Sequence, residues 1–75
     1  MVNAKEVAKV MARGYITMNS EKKWMWWDSK PRLDRGGHWY NATNLSSKRY
    51  PTPLDYIFEI EPVEDYRKSC IKCGR

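Results

Sequence analysis

The apolar residues near the N-terminus recur at the spacing of an α-helix. They are Ala4, Val7, Ala8, Val10 and Met11. Asn3 precedes this run and Glu6 follows three residues later, which is the arrangement of an N-terminal capping box. Gly14 is placed to end the helix in the left-handed conformation. The pattern predicts an amphipathic helix of about three turns, which is stable only when it packs on other structure.

Two segments with alternating apolar residues follow the helix. The first is YITMN, the second is WMWWD, and the polar stretch SEKK lies between them. Alternation of this kind is typical of β-strands, so we predict an antiparallel hairpin with a loop of about four residues. In the second strand Trp24 and Trp26 face one side, and Met25 and Trp27 face the other. Both faces of this strand are therefore apolar.

The pattern is weaker in the middle of the chain. Pro31 ends the second strand, and the RLDRGG that follows it is rich in turn-forming residues. HWYNAT at residues 38–43 is consistent with a third strand. The NLSSKRYPTP that follows is a polar loop, and Pro51 and Pro53 keep it out of the centre of a sheet.

The most regular alternation is that of LDYIFEIEP, near the C-terminus. It predicts a strand with Tyr56, Phe58 and Ile60 facing inward and acidic residues facing outward. The last segment, VEDYRKSCIKCGR, contains both helical and alternating spacings. We predict a helical turn at residues 64–68 followed by a short extended end.

These elements predict a single α+β domain over residues 1–75, with one N-terminal helix packed on a small antiparallel sheet of three or four strands. Large rings must supply much of the core, because each Trp, Tyr or Phe buries roughly 150–250 Å². The helix can cover only one face of the sheet. The opposite face, which carries Met25 and Trp27, must meet more sheet, a long loop or a partner.

The chain has a formal net charge of +5 that is unevenly distributed. Residues 54–66 contain five acidic and no basic side chains, whereas the segments before and after them are basic. A basic protein favours an anionic partner, but blocks of opposite charge can also pair within the fold. An anion-binding face and an ordinary solvated surface are therefore both open.

The sequence offers few residues for catalysis or metal binding. Cys70 and Cys73 have the spacing of half a zinc site or of a redox pair, yet His38 is the only further good zinc ligand. Plain thiols, an intermolecular metal or disulfide, and redox activity all stay open. His38 has no nucleophile near it in the sequence. We predict a protein that is not an enzyme and that uses no metal or cofactor.

Residues 22–40 combine all four tryptophans with basic side chains. We predict a partner-binding surface of aromatic anchors with a basic rim, formed by Met25, Trp27, Arg32, Arg35 and Trp39. Trp and Arg are enriched in protein-binding hot spots, so a protein partner is the leading hypothesis. Nucleic acid is the alternative, because bases stack on aromatic rings beside cations. The same residues also fit a core with a solvated face, or a homodimer that buries the second apolar face.

No segment has the pattern of a targeting signal, because lysines interrupt the apolar positions of the N-terminus. No run approaches the roughly 20 apolar residues that a membrane-spanning helix needs. We therefore expect a cytoplasmic protein that does not associate with a membrane, in which both cysteines stay reduced.

A family resemblance covers roughly residues 14–73. The chain resembles small uncharacterised proteins encoded by bacteriophages and prophages, which have a Trp-rich strand ending in S-K-P, a later aromatic residue and a C-terminal I-x-P-x-x-D-W/Y-x-x-S-L-I block. The matching positions are Trp24, Trp26, Ser29, Lys30, Pro31, Trp39, Ile60, Pro62, Asp65, Tyr66, Ser69 and Ile71. Cys70 stands where this pattern has leucine, which indicates an apolar role for its side chain.

The resemblance implies an origin in a phage or prophage and a location in the cytoplasm of a bacterial host cell. It implies no known activity. Small phage proteins of this kind often bind and block a host protein, so the resemblance favours protein contact.

Overall fold

The computed structural model describes residues 1–41 and 51–74. It confirms the α+β class: one helix lies with a four-stranded antiparallel sheet and a small two-stranded sheet. The elements are α1 (Ala4–Val10), β1 (Gly14–Met18), β2 (Trp24–Trp27), β3 (Pro31–Leu33), β4 (Trp39–Asn41), β5 (Thr52–Pro53), a 3₁₀ turn (Tyr66–Lys68) and β6 (Ile71–Cys73).

The helix begins as predicted and ends earlier than predicted. The Asn3 side chain accepts a hydrogen bond from the Lys5 amide at 2.8 Å, which satisfies one of the free amides of the first turn. The backbone becomes extended at Met11 and leads into β1, so the predicted stop at Gly14 is wrong. Because the helix is short, Val10 at its end lies outside the packed face and is 72% exposed.

The predicted hairpin of β1 and β2 is confirmed and forms the centre of the larger sheet, whose order is β5-β2-β1-β6. Ile16 lies opposite Trp26, and Met18 lies opposite Trp24. Residues directly opposite each other in an antiparallel pair share a face. The first face therefore carries these four side chains, and the second face carries Tyr15, Thr17, Met25 and Trp27.

The main core forms between the first face and α1. Its fully or almost fully buried side chains come from the helix, the sheet and the C-terminal half of the chain. They are Ala4, Val7, Ala8, Ile16, Met18, Trp24, Leu54, Ile60 and Cys73. Ser69 ties the C-terminal segment to β1, because its hydroxyl oxygen accepts from the Met18 amide at 2.7 Å.

The small sheet of β3 and β4 contacts the second face through Trp39. Trp39 of β4 donates its indole N–H to the Met18 carbonyl oxygen at 3.1 Å. Beneath it, Trp27 is only 7% exposed and donates its indole N–H to the Thr17 hydroxyl at 2.9 Å. Of the three covers that the sequence left open for this face, the described residues show a contribution from additional sheet, through Trp39.

The predicted strand at residues 54–62 is wrong. The amides of Ile57 and Phe58 both donate to the Leu54 carbonyl, which closes a turn at this point. Only Ile60 makes a ladder contact, a single parallel bridge to Val2. The turn sends Leu54 and Ile60 into the core and leaves Tyr56 91% exposed, although the alternation had placed Tyr56 inside.

The remaining elements agree with the sequence in part. Pro31 starts β3 instead of only ending β2, and β3 pairs with β4 through the turn that RLDRGG provides. The predicted third strand contains β4, and its last two residues lie outside the described ranges, as do residues 44–50 of the predicted loop. The helical turn and the extended end near the C-terminus are confirmed as the 3₁₀ turn and β6.

Gly14 is required by close packing. A Cβ at this position would overlap the Trp27 carbonyl oxygen and would lie 2.8 Å from the Trp26 ring. We expect Gly14→Ala to lower the free energy of unfolding by about 1–3 kcal/mol or more, because the crowded atoms include backbone that cannot rotate away. Urea unfolding followed by tryptophan fluorescence measures the change.

Gly36→Ala is the matched control for this substitution. Gly36 is exposed, its φ is negative, and the nearest atom to an added Cβ is Nδ1 of the exposed His38, at 3.1 Å. We expect little change in stability, because that side chain can move. Equal losses for the two variants would contradict the packing role of Gly14.

Candidate functional site

Three of the five predicted contact residues lie together. Met25, Trp27 and Trp39 line one groove of about 280 Å³ on the second face of the larger sheet. Gly37, His38, Pro51 and the β1–β2 loop complete its walls. Met25 and Trp39 are half-buried, whereas Trp27 is buried. The groove is therefore lined by aromatic rings and a thioether, and these side chains come from separate parts of the sequence.

Trp27 does not protrude as the predicted anchor. Its indole is packed in the structure, and its only polar atom is already hydrogen-bonded to Thr17. A side chain in this state forms the wall of a groove and cannot insert into a partner without unpacking. Trp27 is therefore a buried wall of the groove and not the protruding anchor that the sequence suggested.

Arg32 and Arg35 do not line this groove. Arg32 lies in β3 opposite Tyr40, and Arg35 lies in the turn between β3 and β4. Both are exposed. The predicted basic rim is thus displaced onto the outer side of the small sheet, away from the aromatic lining it was expected to surround.

A second groove of about 400 Å³ adjoins the first. Lys23, Met25, Pro53, Asp55 and Tyr56 line it. Met25 lines both grooves, which lie side by side near β5 and β2, and we call the two grooves together the Met25 groove. Tyr56 lines the second of them, and its neighbour Ile57 is 65% exposed.

Sequence reasoning missed Tyr56 because it assigned the ring to the interior of a strand. A signal for the turn was present, since Pro51 and Pro53 precede Asp55 and these residue types favour turns. An exposed tyrosine on such a turn is a stronger candidate for contact than a tryptophan on a covered strand.

His38 sits at one wall of the Met25 groove beside Asp34. The Asp34 carboxylate accepts a hydrogen bond from the His38 backbone amide at 2.8 Å, and this bond is the main cause that lowers the pKa of Asp34. The imidazole Nδ1 lies 3.5 Å from the same carboxylate oxygen and the His38 side chain is 77% exposed. This arrangement is that of a capped turn with an exposed imidazole lying loosely beside the carboxylate.

Both cysteines are free thiols, Cys70 half-buried and Cys73 buried. Burial raises the pKa of the Cys70 thiol. The pKa of Cys73 is raised to about 11, mainly by burial and to a smaller extent by the electrostatic effect of Cys70. Thiols with raised pKa values are protonated at neutral pH, and the thiolate is the form that binds metals and attacks disulfides. Within the ranges 1–41 and 51–74, no three His, Cys, Asp or Glu side chains lie close enough to hold a metal ion.

Among the described residues, no helix has the length and apolar character that crossing a membrane requires. Comparison of the chain with family models, curated proteins and solved structures found no match. The resemblance to small phage-encoded proteins therefore stays a prediction.

The raised pKa of Cys73 makes stability depend on pH. The folded state holds the thiol proton more tightly than the unfolded state, so this contribution is complete below the ordinary value of 9.0 and is lost as the pH approaches about 11. We expect the free energy of unfolding of the wild type to fall more steeply over this interval than that of Cys73→Ala. Denaturant titrations at several pH values measure both slopes, and parallel curves would show that the thiol contributes nothing.

Proposed function

We propose that this protein is a non-enzymatic binding module that contacts a partner protein through the Met25 groove. The observation that carries the proposal is that Met25 lines two neighbouring grooves and that the 91% exposed Tyr56 lines one of them. A large ring that the fold leaves in water is available to a partner without any unfolding.

The composition of the groove suits a protein partner. Aromatic residues and methionine are enriched at the centres of protein interfaces, whereas charged residues concentrate at the rim. Here Met25, Trp39 and Tyr56 supply the apolar centre, and Lys23 and Asp55 supply a charged edge. The flexible thioether of Met25 can adapt to the shape of an incoming side chain.

The walls of the groove are fixed before a partner arrives. Trp39 is held by its hydrogen bond to Met18, and Trp27 is held by its bond to Thr17. Ordering side chains at an interface costs roughly 0.5–1.5 kcal/mol for each flexible one, so rigid walls reduce the cost of binding. This supports a recognition role for the groove.

The resemblance to phage-encoded proteins supports a bacterial host protein as the partner and the bacterial cytoplasm as the location. Such a protein would act by occupying a surface that the host protein needs. This role requires affinity and shape, and it requires no reaction at the groove.

Site-specific cross-linking tests the proposal. A photoreactive phenylalanine analogue replaces Tyr56 in one variant and Tyr40 in another, and both variants are expressed in bacteria. Tyr40 is the matched control because it is also an exposed tyrosine, 42% accessible, but lies on β4 outside the groove. We expect a discrete adduct with a host protein from position 56 and none from position 40.

Binding by purified components then measures the contribution of the ring. With the cross-linked partner purified, we expect Tyr56→Ala to weaken binding about 30-fold or more, as hot-spot residues do, and Tyr40→Ala to leave it unchanged. Because Tyr56 is almost fully exposed, its removal should leave the melting temperature unaffected. Equal effects of the two substitutions, or an adduct consisting of two copies of this chain, would contradict the proposal.

A further inference from the structure

Arg13, Lys30 and Lys72 converge on one groove from three separate parts of the chain. Arg13 lies between α1 and β1, Lys30 lies between β2 and β3, and Lys72 lies in the edge strand β6. The groove has a volume of about 370 Å³, and Gly14, Tyr15, Asp28 and Ser29 complete its lining. All three cationic residues are exposed, and Asp28 is the one carboxylate in the lining, so the groove is net positive.

Lys72 extends this positive surface towards the helix. It also lines a smaller groove of about 150 Å³ together with Lys5 and Lys9 of α1. Residues four positions apart lie on the same side of a helix, so these two lysines point along one line. We call the five residues Lys5, Lys9, Arg13, Lys30 and Lys72 the basic track.

The acidic segment of the chain does not neutralise the basic track. Lys9 of the track lies 3.7 Å from Glu6 of its own helix, and among the described residues no ion pair joins a carboxylate of residues 54–66 to the track. The carboxylates of residues 54–66 line neither of the two basic grooves, and Asp55 lies at the Met25 groove instead. The basic track and the Met25 groove lie at opposite edges of the sheet, at β6 and β5.

An aromatic ring lies inside the larger basic groove. Tyr15 of β1 is directly opposite Lys72 of β6, so their side chains emerge side by side from the same face. Tyr15 is half-buried, which leaves part of the ring accessible from the groove. An aromatic ring beside cations is the combination with which proteins hold an unpaired base and its phosphate.

We propose that the basic track binds single-stranded nucleic acid. Arg13, Lys30 and Lys72 contact phosphates, and Tyr15 stacks on a base. A duplex keeps its bases stacked inside the helix, so only an unpaired base reaches a ring within a groove. This site is distinct from the Trp-rich stretch for which the sequence analysis considered nucleic-acid binding. It shares no residue with the Met25 groove.

The salt dependence of binding is the first test. The purified wild-type protein is titrated against a fluorescent oligothymidine of about 15 nucleotides, a length within the range that small binding domains cover. Each phosphate contact on a single strand contributes about −0.7 to the slope of log affinity against log salt. For three to five contacts we expect affinity to fall about 20- to 100-fold between 50 and 200 mM salt, and a duplex of equal length to bind more weakly.

Three substitutions distinguish binding at the basic track from general attraction to the positive charge of the whole protein. Lys30→Gln and Lys72→Gln should each reduce the magnitude of the slope by about 0.7. Lys23→Gln is the matched control, because it removes one exposed lysine at the opposite edge of the sheet. We expect the control to leave both affinity and slope unchanged.

Tyr15 tests the stacking contact. Tyr15→Leu should weaken oligothymidine binding about fivefold or more, because base stacking on a ring is lost. Tyr15→Phe keeps the aromatic ring and should bind like the wild type. Its melting temperature shows whether the fold stays stable when Tyr15 is replaced.

Three results would overturn the proposal. One is a Lys23→Gln effect equal to that of Lys72→Gln, which would indicate diffuse attraction to the whole surface. Another is a duplex that binds as tightly as the single strand. The third is inorganic polyphosphate that competes fully while Tyr15→Leu has no effect, which would indicate a general anion site.

Discussion

The central constraint on this small protein is that the hairpin of β1 and β2 carries large apolar side chains on both faces. Each indole ring exposes roughly 150–250 Å² that folding must remove from water, and one short helix can cover only one side. Two parts of the chain contribute: α1 packs in the core with Trp24, and the small sheet brings Trp39 to the groove that Trp27 also lines.

The chemical character of the surface depends on which parts of the second sheet face stay accessible to water. At the edge formed by β5 and β2, Met25 stays half-buried, and a groove opens beside Tyr56. At the edge formed by β1 and β6, the same face stays open next to Lys72 and becomes a positive groove. The Met25 groove and the part of the basic track beside Tyr15 are therefore at two ends of one sheet face, and Lys5 and Lys9 extend the track onto the helix.

Some residues of these two sites could be selected from the sequence, and others could not. Met25 and Trp39 could be selected because alternation showed a second apolar face that needed cover. Arg32 and Arg35 were selected only for proximity in the sequence, and the pairing of β3 with β4 turns them away from the groove. Arg13, Lys30 and Lys72 are distant in the sequence, and nothing in local spacing indicates that β6 pairs with β1 and brings them together.

The sequence by itself determined the α+β class, the helix, the β1–β2 hairpin and the extended C-terminal end, because each depends on spacing and capping among near neighbours. The tertiary structure alone decided the burial of Trp27 and the exposure of Tyr56. Alternation reports which side chains share a face, but not whether that face is covered or whether the segment has a strand beside it. Residues 54–62 alternate as a strand does, yet the hydrogen bonds to the Leu54 carbonyl close a turn there, and Tyr56 is left in water.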